Sequence, residues 1–134
     1  MGDIWTDENR YKTWLKVEIL ACEAMAEAGR IPKTAVATIK SKADFNADRI
    51  NEIEEITRHD IIAFLTNVAE YVGPDSRYVH LGLTSSDVLD TSMACLLKEA
   101  GEIMLSGCDN LMKAIREKAF KYKETLMIGR SHGI

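Results

Sequence analysis

The sequence predicts an all-α fold, on three observations. Apolar residues recur three and four apart through most of the chain, the period of a helix with one buried face. Two prolines and eight glycines in 134 residues leave few of the tight turns that an all-β fold needs. Apolar residues make up 46% of the chain and charged ones 28%, a balance that supports a packed core. The same composition excludes other classes. The net charge of −4, with lysine and arginine scattered, offers no basic stripe to nucleic acid. No apolar run approaches the ~20 residues that span a bilayer. Asp3 stands where a signal peptide would be basic. Cys22, Cys95 and Cys108 show no paired spacing and read as buried free thiols of a cytoplasmic protein.

The first helix is expected to start at Thr6, an N-cap followed by Asp7 and Glu8, whose charge suits the positive end of the helix dipole. Tyr11, Trp14, Val17, Ala21, Met25 and Ala28 form its apolar stripe, widened by Leu15, Ile19 and Cys22, with Lys12, Lys16, Glu23 and Glu27 opposite. Gly29 supplies the stop, and Pro32 suits the first turn of a short second helix to Lys42. Ile50, Ile53 and Ile56 mark a third helix. A new apolar set runs from Ile61 to Val72, and periodicity leaves open whether the helix continues or restarts near Thr57. Gly73-Pro74 ends it, and Tyr78 to Leu83 reads as a loop or short extended piece. From Ser86 to about Thr125 Leu89, Met93, Leu96, Ala100 and Ile103 begin a long stripe that reaches Leu126. Unbroken, that helix would measure about 60 Å at 1.5 Å per residue, too long for a small domain to cover, and so it calls for partners. The expected division is an N-terminal helical domain, residues 1–85, and the start of a long-helix bundle domain, residues 86–134.

Three short polar segments carry the candidate chemistry, one for each of the three histidines. In Thr57-Arg58-His59-Asp60, a helix start would offer N–H groups to an anion, with Arg58 and His59 as further donors; an exposed Arg–Asp pair beside a capping threonine is the plainer reading. In His80-Leu81-Gly82-Leu83-Thr84-Ser85-Ser86-Asp87, Thr84 and Asp87 have capping-box spacing, and three successive hydroxyls exceed what one cap requires. Gly129-Arg130-Ser131-His132-Gly133 sets glycines on both sides of a polar run, though a helix stop explains Gly129 equally well. No histidine lies three or four residues from another ligand type with a cysteine to join it, so no metal site is expected.

In this order and spacing the segments resemble the adenylosuccinate lyases, a family of the fumarase/aspartase superfamily. The opening Ile4 to Arg10 and Glu18 to Ala24 look like that family's first helix, and Val88-x-Asp-Thr91 extends the second motif. The resemblance implies a C–N lyase that releases fumarate from adenylosuccinate, giving AMP, and from the succinyl-carboxamide ribotide of purine synthesis. It implies neither metal nor organic cofactor, a purine nucleotide substrate, and a cytoplasmic homotetramer built on long helices, with no nucleic acid or membrane partner. Carried over by motif, Arg58, His59, Asp60, His80, Thr84 and Ser85 contact substrate, and His132 is the catalytic histidine that protonates the leaving nitrogen. The family's base is a serine in a Ser-Ser-x-Met-Pro-x-Lys-x-Asn-Pro run, which this sequence lacks; it is expected to be an N-terminal portion, inactive alone. Serine at 131 replaces the commoner threonine and keeps the hydroxyl, while Arg10-Tyr11 falls inside the first helix and takes no substrate role. The rivals are an argininosuccinate lyase-like enzyme and a non-catalytic helical interaction module.

Overall fold

Helices begin and end where the local chemistry directs. The computed structural model describes residues 1–133, and every regular element among them is helical. A 3-10 turn at Gly2–Trp5 precedes α1 (Asp7–Glu27); α2 (Lys33–Lys42), α3 (Ala47–Thr57) and α4 (Asp60–Val72) follow. A second 3-10 segment, Gly73–Tyr78, leads through a turn into α5 (Ser85–Lys121). Thr6 caps α1 by accepting from the Asn9 N–H at 3.2 Å. At the other end Arg30 N–H reaches back to the Met25 carbonyl at 2.9 Å while Gly29 takes φ +70°, the left-handed closure a glycine makes without a Cβ penalty.

The chain divides into two compact units, Met1–Glu99 and Ala100–Ile134. In the first unit, α1 buries Tyr11, Trp14, Glu18, Cys22 and Ala26. These residues pack with Ile39 of α2, Ile50 and Ile53 of α3, Ile61, Phe64, Val68 and Val72 of α4, and Val88 of α5. An aromatic cluster anchors this core: Tyr11 stacks on Phe64 at 6.0 Å and 7°, and Trp14 meets both edge-on at 5.2 and 5.5 Å. Such pairs add about 0.5–1.5 kcal/mol each beyond their burial. In the second unit the described residues present Ile103, Met104, Leu105, Leu111, Met112, Ile115 and Phe120 to solvent.

The structure corrects several expectations. The most buried line of α1 runs from Trp14 in i+4 steps through Glu18, Cys22 and Ala26, with Val17 and Met25 of the expected stripe only partly buried beside it. In α5, Leu96 and Ala100 are buried as the stripe expects, but in the first turns Val88 and Ser92 are buried in place of Leu89 and Met93, and Ile103 is exposed. Ile56 is 85% exposed, since α3 ends one residue later and nothing packs over its last turn. Cys22 is buried, but Cys95 and Cys108 lie exposed on open faces of α5.

Candidate active site

The question periodicity left open near Thr57 has a definite answer. α3 stops at Thr57, Arg58 adopts a left-handed backbone (φ 54°, ψ 30°), and His59 caps a new helix. Arg58 N–H donates to the Glu54 carbonyl at 2.8 Å, closing α3 in the manner usually left to glycine or asparagine. The hairpin is clamped at its open end. Asn46 caps α3, and its N–H donates to the buried Asn67 side chain at 2.8 Å. Asn67 in turn donates to Glu70 at 3.0 Å, and the Arg49 guanidinium bonds the same carboxylate at 2.8 and 3.2 Å. These bonds hold the Glu70 carboxyl below its ordinary range, with the Arg49 hydrogen bond the largest cause.

His59 takes part in two contacts that demand opposite protonation. Its Nδ1 accepts from the Ile62 N–H at 3.4 Å, yet lies 3.3 Å from the Asp60 carboxylate. A cationic ring at a helix N-terminus opposes the dipole, and Asp60 already accepts from the Ile61 N–H at 2.7 Å. The Nδ1 edge of His59 thus faces both the start of α4 and the Asp60 carboxylate.

The second motif is built around a residue absent from the sequence-derived candidates. Glu18, in the middle of the buried face of α1, is only 1% exposed. Its Oε2 accepts the His80 backbone N–H at 2.9 Å and its Oε1 meets His80 Nδ1 at 2.5 Å. His80 sits at φ 64°, in the turn before α5. One turn along α1, the Cys22 thiol is pushed up to about 11, first by burial and then by the Glu18 charge, and it donates to the Tyr78 carbonyl at 3.5 Å. The signal for Glu18 was present: an acid one helical turn from Trp14 and from Cys22 sits on the buried stripe. Downstream, Asp87 Oδ2 accepts the Thr84 N–H at 2.8 Å, the return bond of a capping box, and Ser85 opens α5.

Asp60 lines a cavity of about 420 Å³ with Arg10, Trp14, Asp90 and Met93, in which Arg10 lies over the Tyr11 ring at 4.8 Å and pairs with Asp7 at 3.1 Å. Arg58 instead lines a surface depression with Asn51, Glu54 and Glu55. His132 is exposed in the second unit at φ 48°. Arg58, His80 and His132 are the non-glycine residues with positive φ among the described residues, one in each polar motif. Such conformations cost about 1–2 kcal/mol and gather where function requires them.

A family model described as lyase matches residues 1–134. The chain belongs to the lyase family. The chain is 56% identical over 134 residues to an adenylosuccinate lyase of Synechocystis, 52% to that of Streptococcus mutans and 51% to that of Bacillus subtilis. Each match covers the whole of this chain and 31% of the relative, so the chain spans about a third of their length. Among solved structures, a fumarate lyase of Mesorhizobium superposes with TM-score 0.90 at 21% identity, covering 99% of this chain and 32% of that one. A β-carboxy-cis,cis-muconate cycloisomerase of Acinetobacter calcoaceticus gives 0.88 at 23%, covering 98% and 33%. The two neighbours bear names of different reactions, and the likeness is one of fold.

Proposed function

We propose that this chain is part of a C–N lyase that eliminates fumarate from adenylosuccinate, giving AMP, and from the succinyl-carboxamide ribotide of purine synthesis. The observation that carries this reading is the 51–56% identity along all 134 residues to three adenylosuccinate lyases. The reaction removes a proton from a carbon beside a carboxylate and expels a purine or carboxamide nitrogen. It needs a base, an acid and donors for anionic groups, and no metal or organic cofactor.

The residues of this chain fit the second and third needs. Arg58 and His59 directly precede the first turn of α4, whose N–H groups attract an anion. Thr84 and Ser85 set hydroxyls at the start of α5, with His80 in the preceding turn. Asp60 offers its second carboxylate oxygen to a ligand donor. His132 acts as the acid for the leaving nitrogen. The whole enzyme is a cytoplasmic homotetramer in this reading, each site drawing segments from several subunits, and among the described residues no helix is long and apolar enough to cross a membrane.

The test uses the full-length protein that carries this segment. Fumarate should appear from adenylosuccinate and not from argininosuccinate; the reverse would make it an argininosuccinate lyase-like enzyme. His132→Gln cannot carry a proton, so kcat should fall by about 10²–10⁴ while substrate still binds. The limb of the pH–rate profile that requires a protonated group should vanish with it. A change confined to KM would make His132 a binding residue.

A further inference from the structure

We propose that Glu18 is a positioning residue for His80, fixing both the backbone and the ring tautomer that the site uses. The inference rests on the lyase reading above for its kinetic consequence, but on geometry for its substance. The 2.9 Å contact is donated by the His80 backbone N–H, and an ionised carboxylate, which accepts hydrogen bonds and donates none, takes the 2.5 Å contact from Nδ1–H as well. The proton on Nδ1 is thereby specified, and Nε2 is left for substrate. The same pair of bonds holds His80 at φ 64°, a conformation an L-residue resists. Glu18 bridges 62 residues of sequence to do this, from a position 1% exposed.

A buried carboxylate is costly unless its acceptors are filled, and burying an apolar side chain at position 18 would continue the stripe of Trp14, Cys22 and Ala26 at lower cost. An acid there is explained by what it does to His80. His80 is itself only partly buried, with 19% of its side chain exposed, so the clamp holds a ring that is not sealed from solvent.

The kinetic test is a double-mutant cycle in the full-length enzyme with adenylosuccinate. Glu18→Gln should raise KM by about 10-fold or more with a smaller change in kcat, the signature of lost substrate binding. Combined with His80→Gln it should add little, because Glu18 acts through that ring. Full additivity of the two, or a Glu18→Gln enzyme within twofold of wild type, would overturn the proposal. A second measurement needs neither a folded variant nor a substrate. Solid-state NMR of the wild-type enzyme labelled with ¹⁵N-histidine should place the His80 proton on Nδ1; a deprotonated Nδ1 signal would refute the clamp. Failure of wild type to release fumarate from either purine substrate would sink the lyase reading and leave the NMR result to judge Glu18.

Discussion

Arg58 does two things that pull in opposite directions. Its left-handed backbone (φ 54°) lets α3 stop and α4 start within two residues, and a side chain in that conformation is strained. Glycine would close the helix more comfortably, offset in part by its larger unfolded-state entropy. Arg58→Gly is therefore expected to leave thermal stability unchanged or improve it by up to about 1 kcal/mol, while raising KM more than it lowers kcat. A clear loss of melting temperature would instead mean that the guanidinium itself holds the hairpin. At this scale the sequence was partly legible. Arg-His-Asp stood out between two apolar sets, but that one residue would turn left-handed could not be read from spacing. Glu18 does not stand out in the sequence, because a stripe through Val17 and Ala21 is one residue out of phase and sets the acid beside the buried face rather than on it.

Within α1, burial and a neighbouring charge give Cys22 a measurable signature. The thiol is pushed from an ordinary 9.0 up to about 11, so the unfolded chain loses this proton first as pH rises. The contribution is fully present below about pH 9 and is lost as pH climbs through about 11. Urea midpoints compared between about pH 8 and about pH 10.5 should fall, and Cys22→Ala should flatten part of that slope. At neutral pH a thiol reagent should modify Cys95 and Cys108 in the native chain and spare Cys22, which burial shields. Equal labelling of all three would contradict the packing. The helical class and several boundaries were legible because caps and breakers (Thr6, Gly29, Pro32, Gly73) act locally, whereas the break between α3 and α4 was not, since it rests on the left-handed Arg58. The covered face of α5 was legible only in part: Leu96 and Ala100 lie on it as expected, but Val88 and Ser92 are chosen by what packs on them rather than by the helix itself.

In the second unit, exposed Ile103, Leu105, Leu111, Met112, Ile115 and Phe120 form more apolar surface than a soluble monomer usually tolerates. The isolated 134-residue chain is expected to self-associate, as size exclusion with light scattering would show; a clean monomer that unfolds cooperatively would refute it. The two clamps of the first unit carry a different consequence, for the order of folding. The Asn46–Asn67 bond closes a span of 21 residues and the Glu18–His80 bonds one of 62. Closing the longer span costs about 1 kcal/mol more in chain entropy, so the α3–α4 hairpin should form first and α1 dock against His80 afterwards. In stopped-flow experiments Asn67→Ala should then slow refolding, whereas Glu18→Gln should act mainly by speeding unfolding. The opposite pattern would reverse the sequence of events. On this order, a chain emerging from the ribosome has its Arg58-His59-Asp60 turn shaped while His80, twenty residues behind, still waits for a partner that left the tunnel long before it.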